Sequence, residues 1–144
     1  MRDHPPEETC GVGEFTVDSE EPLSIGQVAE LTGLSHDTLR WYEREGLLDS
    51  VARDSAGRRQ YTQIDLRRLL LLVRLRTTGM PVSEMQRYAA LLPAGPSTER
   101  ERTELLEAHR DRVLSHIGDL QRDLEMINRK INSYRRSPSP AASA

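Results

Sequence analysis

Two short runs carry the side chains best suited to chemistry in this chain: Thr38-Leu39-Arg40-Trp41-Tyr42-Glu43-Arg44, and Arg53-Asp54-Ser55-Ala56-Gly57-Arg58-Arg59-Gln60-Tyr61. Guanidinium forks match phosphate oxygens and base edges, hydroxyls donate to the nucleic-acid backbone, and aromatic faces pack against sugars. Thr38, Arg40, Trp41, Tyr42 and Arg44 in the first run, with Arg53, Arg58, Arg59 and Tyr61 in the second, are therefore candidate DNA contacts. The plainer reading of the arginines is a solvated basic face. Trp41 has two uses open to it, filling the core beside the second run or touching the sugar-phosphate backbone. Tyr42 and Tyr61 are expected to bury their rings and offer a hydroxyl outward. No nucleophile-base pair, metal triad or phosphate-cradling glycine loop is present, so neither catalysis nor a cofactor or metal is expected.

Those side chains need elements to position them. Ser24 with Gln27, Thr62 with Asp65, and Thr98 with Glu101 each set a hydroxyl three residues before a carboxylate or amide, the capping-box spacing that opens a helix. The first helix carries Ile25, Val28, Ala29 and Leu31 on one face and stops at Thr32-Gly33; the second runs from Ser35 to Gly46 and bears the first candidate run, anchored by Leu39 and Leu47. Two short helices meeting at a glycine-containing turn make a helix-turn-helix. The second candidate run reads as a small hairpin turning at Asp54 to Gly57, and a hairpin bearing arginines beside a reading helix is a wing. A third helix is expected from about Ile64 to Arg76, with Leu66, Leu69, Leu70 and Val73 on its apolar side, and a fourth from Ser83 to Leu92; Pro93 and Gly95-Pro96 then break the chain.

From Thr98 to about Arg135 the pattern is one long helix. Leu106, Val113, Ile117, Leu120, Leu124, Ile127, Ile131 and Tyr134 recur at alternating steps of four and three, with Arg110 filling one seam position. This stripe is about 42 Å long at about 1.5 Å per residue, more than the short preceding elements can cover. A second copy of the chain is the expected supply, making a homodimeric coiled coil.

The composition agrees with a small, mostly α protein. Aromatics are 4% and charged residues 30% of the 144, which suits a surface-rich helical chain that completes its core by pairing. The net charge of -3 arises in the first 22 residues, which hold one arginine against seven acids; the remaining 122 carry +3. Between His36 and Arg76 nine arginines face six acids, enough for a local footprint on DNA. Cys10 is the single cysteine, so no disulfide forms within the chain, and it reads as either an incidental thiol or a sensor. The longest apolar run, Leu69 to Val73, is far short of the roughly 20 residues of a membrane span, so a cytoplasmic location is expected. The expected divisions are a disordered acidic arm over 1–22, a winged helix-turn-helix DNA-binding domain over 23–92, a dimerisation coiled coil over 97–135 and a flexible tail over 136–144.

Ser24-Ile25-Gly26-Gln27-Val28-Ala29, Thr38-Leu39-Arg40-Trp41-Tyr42-Glu43-Arg44-Glu45-Gly46-Leu47-Leu48 and Gly57-Arg58-Arg59-Gln60-Tyr61 together closely resemble the MerR family of bacterial regulators. The resemblance implies dimers whose C-terminal helices pair antiparallel and whose two winged domains grip a palindromic promoter. It also implies bending and untwisting of an overlong promoter spacer on a signal, so that RNA polymerase engages both promoter elements. By motif position it makes Thr38, Arg40, Tyr42, Arg59 and Tyr61 backbone and base-edge contacts, and it puts Arg53 where the wing usually has a cation. Trp41 replaces the family's usual first tyrosine, Arg58 stands where an aromatic or aliphatic residue is common, and Asp49-Ser50 replace a frequent proline pair. The cysteines of the family's metal sensors are absent. The chain looks most like the short aldehyde- or redox-responsive branch, yet Arg74 occupies the position of that branch's sensing cysteine.

Arg74, Tyr88, His109, Arg110 and His116 are candidates for a small-effector pocket, with a solvated helix flank as the plainer reading. Three classes of protein remain distinguishable: a signal-responsive regulator, a DNA-binding regulator that senses no small molecule and acts through a protein partner, and a coiled-coil adaptor without DNA binding. Retention of Arg40, Tyr42, Arg59 and Tyr61 argues against the last. The stripe has its own test. Leu120→Asp or Leu124→Asp puts an unpaired carboxylate into the seam at a cost of several kcal/mol, felt twice in a symmetric pair. Sedimentation should then find monomers or unfolded chains; intact dimers for both variants would refute the heptad assignment.

Overall fold

The computed structural model describes residues 21–49 and 51–137. The acidic stretch up to residue 20, Cys10 and the tail beyond Ser137 lie outside the described residues. Two compact units divide the chain, one ending at Thr98 and the other beginning at Glu99.

In the first unit, β1 (Leu23–Ser24) leads into α1 (Ile25–Thr32), followed by α2 (His36–Arg44), β2 (Ala52–Arg53), β3 (Arg59–Tyr61), α3 (Gln63–Thr77) and α4 (Val82–Leu91). The capping boxes at Ser24 and Thr62 are both formed: each hydroxyl accepts from the backbone N–H three residues on, and Gln27 or Asp65 accepts from the cap's own N–H. These reciprocal bonds satisfy donors that the first helical turn would otherwise leave unpaired. Ser35 caps α2 by accepting from the Thr38 N–H.

β1 is an element that the sequence pattern does not predict. It pairs antiparallel with β3, Leu23 opposite Tyr61 and Ser24 opposite Gln60, while β2 pairs on the other side with Ala52 opposite Gln60 and Arg53 opposite Arg59. The resulting order is β1-β3-β2, so the wing is tied at its central strand to the residue that caps α1.

One core joins these pieces. Val28 of α1, Leu39 of α2, Leu47, Tyr61 of β3, Leu66, Leu69 and Leu72 of α3, Met80 and Met85 are fully buried. Each buried leucine contributes about 2 kcal/mol of transfer free energy. On α3 the innermost side chains are Leu66, Leu69, Leu72 and Leu75, whereas Leu70 and Val73, expected on the apolar side, are half-buried. The buried face is therefore rotated toward an i, i+3 row. α4 presents Met85, Tyr88 and Ala89 inward.

The break expected at Pro93 to Pro96 is a 3-10 segment, Leu92–Thr98, interrupted at Gly95 with φ 63° and ψ -136°. Its tight winding brings carbonyls within reach of the Thr98 hydroxyl, which donates toward Leu91 O at 2.6 Å and Gly95 O at 3.1 Å.

The second unit is α5 (Glu99–Arg136), a single helix of 38 residues. Leu106 and Val113 are half-buried, while Ile117, Leu120, Leu124, Ile127, Ile131 and Tyr134 are between 40% and 68% exposed. Leu114 and Met126, outside the stripe, are exposed as well. Lys130 Nζ sits 4.9 Å from the centre of the Tyr134 ring, a cation-π contact that shields part of that face.

The turn between α1 and α2 depends on Gly33, whose φ of 73° and N–H bond to Ala29 O at 2.9 Å end α1 in the left-handed region. Nothing lies within 4 Å of a Cβ built there, so the cost of a side chain is one of backbone conformation alone. Gly33→Ala should destabilise the first unit by about 1 kcal/mol, lowering its Tm by about 4–8 °C. A thermal melt indistinguishable from the parent would show that the turn adapts without strain.

Candidate nucleic-acid interface

α2 and the wing are set against each other by the shared core. Leu39 and Tyr42 point from α2 into that core, so Arg40, Trp41 and Arg44 fall on its other faces. The Tyr61 ring anchors β3, and side chains two apart on a strand share a face, so Arg59 is carried toward α2 with it. Arg59 Nε donates to Glu43 Oε2 at 2.7 Å, with both side chains 21% exposed.

Arg40 from α2 and Arg53, Arg58 and Arg59 from the wing line one groove of about 270 Å³, together with Ser24, Ile25 and Gly57. Four arginines from the helix and the wing thus border one shallow channel and place four cations around it. Each has a local partner. Arg40 Nη1 donates to Asp37 Oδ1 at 3.1 Å, Arg53 Nη1 to Gly57 O at 3.1 Å, and Arg58 Nε to Asp54 Oδ2 at 3.0 Å. Arg58 is nonetheless 80% exposed.

The Thr38 hydroxyl lies 2.9 Å from that of Ser35 at the start of α2, and Arg44 is exposed in its last turn. Trp41 is half-buried and packs edge-on to Tyr42, ring centres 5.3 Å apart at 88°. The indole is neither sealed in the core nor fully presented. Tyr42 is buried, which raises its pKa against the opposing pull of Arg76. For Tyr61 the expectation of an outward hydroxyl is corrected: the whole side chain is buried, and the hydroxyl has no hydrogen-bond partner among the described residues. Burial likewise raises its pKa. Tyr61 thus supports the wing from beneath.

Several residues of the surface carry no signal in the sequence. Glu43 and Arg59 are sixteen positions apart, on a helix and a strand, so no local spacing announces their pairing. Gln86 of α4 donates from Nε2 to Glu45 O at 3.0 Å and Glu45 Oε2 at 3.1 Å, gripping the C-terminal end of α2. Arg68 of α3 donates to Asp49 at 3.1 Å, fixing the chain that leaves α2. Ser24 and Ile25 line the groove because β1 lies beside β3. Of the effector candidates, Arg74 on α3 is exposed and Tyr88 on α4 buried, both in the first unit. In α5, His109 is buried with Nδ1 3.5 Å from Arg112 Nη2, Arg110 pairs with Asp111, and His116 is exposed.

Residues 23–92 match the MerR HTH family regulatory protein profile, and residues 66–134 match the MerR, DNA binding profile. The chain is 38% identical over 114 residues to an uncharacterized HTH-type transcriptional regulator of Haemophilus influenzae, covering 79% of this chain and 84% of the relative. The chain belongs to the MerR family. It is a DNA-binding transcriptional regulator, and its relatives are regulators, not enzymes. Among solved structures, a MerR family regulator from Listeria monocytogenes superposes with a TM-score of 0.76 at 33% identity, over 83% of this chain and 91% of that one. HiNmlR, described as a MerR family regulator lacking the sensor domain and bound to promoter DNA, gives 0.74 at 35% identity, over 84% of this chain and 96% of its own. Among the described residues, no helix is long and apolar enough to cross a membrane.

The wing tip of this MerR protein rests on one carboxylate. Asp54 accepts from the N–H groups of Arg58 and Ala56, each at 2.9 Å, and from Arg58 Nε. The Arg58 backbone bond, followed by the Ala56 bond and the Arg58 charge, outweighs desolvation and holds the Asp54 pKa below its ordinary value of 3.8. A depressed carboxylate pKa favours the folded turn above the unfolded value and loses that contribution as pH falls through the folded one. The wing should therefore stay ordered at neutral pH and loosen only below the unfolded value of 3.8. Amide exchange at Ala56 and Arg58 should quicken in Asp54→Ala at neutral pH, matching the parent at low pH; equal protection at neutral pH would remove Asp54 from this role.

Proposed function

We propose that this chain binds a palindromic promoter as a homodimer and distorts the spacer between promoter elements in response to a signal, letting RNA polymerase engage both. The observation that carries this reading is the groove in which Arg40 of α2 meets Arg53, Arg58 and Arg59 of the wing. A reading helix and a wing sharing one cationic channel fit a duplex whose major groove takes the helix and whose flanking phosphates take the wing. Residues 23–92 serve DNA binding and residues 97–135 serve pairing. Support for pairing comes from the open stripe of α5, since large apolar side chains at heptad spacing are stabilised when a second helix covers them. The HiNmlR structure, on promoter DNA without a sensor domain, supports promoter binding by a chain of this length. A protein whose ligand is a bacterial promoter works in the cytoplasm.

The absence of a sensor domain in that structure favours a second reading of the input, in which no small effector is sensed; regulation would then come through a protein partner. The two differ in whether Arg74, Tyr88, His109 and Arg110 contribute to an effector site. Regulation that survives their replacement but not deletion of residues 1–22 selects the partner.

The DNA reading is tested by salt. Log affinity should fall linearly with log salt, by about 0.9 unit per phosphate neutralised. Replacing Arg40 and Arg53 by Ala should flatten that slope by about 0.9 for each phosphate the dimer no longer neutralises, on operator and random DNA alike. A slope identical to the parent's would remove the groove from the interface.

A further inference from the structure

Glu43 is out of place by charge. It stands on α2 between Tyr42 and Arg44, and its partner Arg59 lines the cationic groove, so a carboxylate sits at the edge of the surface assigned to phosphate. Coulomb's law alone makes it a liability: an acid near the duplex repels it, and its removal should raise affinity.

The geometry gives the carboxylate another use. Arg59 donates to Glu43 through Nε, the inner nitrogen of the guanidinium, at 2.7 Å. A bond at Nε leaves the two outer nitrogens available, and these form the fork that engages a phosphate or a base edge bidentately. The pair is also mostly withdrawn from solvent, at 21% exposure on both sides, whereas the Arg40–Asp37 pair stands at 41% and 95%. Screening is weaker at the withdrawn pair, so its geometry persists where the exposed pair exchanges freely. The bond also spans sixteen positions of sequence from α2 to β3, tying the reading helix to the wing.

We infer that Glu43 is a positioning residue for DNA recognition, holding the Arg59 guanidinium by Nε so that its outer nitrogens meet the duplex in a fixed register with α2. This rests on the groove being the DNA face. Glu43 touches no DNA itself; it acts through Arg59, giving up non-specific attraction in exchange for orientation.

The sign of a charge-removing substitution tests this. The probes are a duplex selected by the parent chain from a random-sequence pool and a scrambled duplex of the same length, with full-length protein. Glu43→Met keeps the side chain's length and removes both charge and acceptor. It should bind the selected duplex about tenfold more weakly, the scale of a lost charge-assisted hydrogen bond, while binding the scrambled duplex as well as the parent or better. Arg59→Met should weaken binding to both, and adding Glu43→Met to it should cause no further loss. Tighter or unchanged binding of the selected duplex by Glu43→Met overturns the inference, as does an equal loss on both duplexes, which marks a merely structural residue. A full further loss in the Arg59→Met background does the same. Should Glu43→Met fail to fold, Glu43→Gln takes its place. Its amide accepts without charge, so discrimination between the duplexes should fall about threefold, and a rise or no change overturns the inference. If Arg59→Met alters binding to neither duplex, the groove is not the DNA face and the inference falls with that assignment.

Discussion

Burial of the Tyr61 ring fixes the DNA-binding unit. β3 has three residues, and without an anchor a strand so short has neither register nor a defined face. With Tyr61 sealed in the core opposite Leu23, the register is set on both sides, Ser24 is placed to cap α1, and Arg59 is delivered to Glu43. The ring contributes about 2–3 kcal/mol by burial. β3 packs against α1, so the buried ring fastens the wing to the first helix.

From that anchor the polar contacts work outward in order of exposure. Arg59 with Glu43 is withdrawn, Arg68 with Asp49 and Gln86 with Glu45 brace α2 from behind, and Arg40 and Arg58 stand at the rim. The bracing by α4 matters because it fixes the end of the reading helix from an element outside the helix-turn-helix. Any force that shifts α4 acts on α2 through a side chain that bonds both the backbone and the carboxylate of Glu45.

Local chemistry was legible in the sequence, and tertiary pairing was not. Ser24 with Gln27, Thr62 with Asp65, the turn at Gly33 and the Asp54 to Gly57 turn each complete themselves within a few residues, so their types and spacing are enough to read them. β1 was invisible because two residues cannot show an alternation, and its partner lies beyond α1 and α2. The hydroxyl of Tyr61 was misplaced for a related reason: the residue type says only that a tyrosine has an apolar ring and a polar tip, while the depth to which it sinks depends on neighbours from other elements. The α3 face was off by one row because a run of five apolar residues from Leu69 to Val73 has no unique apolar side until its neighbours choose one. The α5 stripe was legible as a pattern, since heptad spacing belongs to the sequence alone.

The arrangement of charge explains how a chain with a net charge of -3 serves as a DNA binder. Three of the four groove arginines are paired with carboxylates, Arg40 with Asp37, Arg58 with Asp54 and Arg59 with Glu43, and the fourth, Arg53, bonds a carbonyl. Non-specific binding draws almost entirely on unpaired cations and released counterions, so pairing lowers attraction to any duplex. An exposed pair such as Arg40–Asp37 contributes about 1 kcal/mol or less, and a well-placed phosphate can displace its acid at little cost. A duplex that presents phosphates and base edges in the right register recovers what the acids gave up, while one that does not meets a nearly neutral surface. If the groove is the DNA face proposed above, acids within it act on the ratio between right and wrong DNA, the quantity that matters where competing sites vastly outnumber the operator.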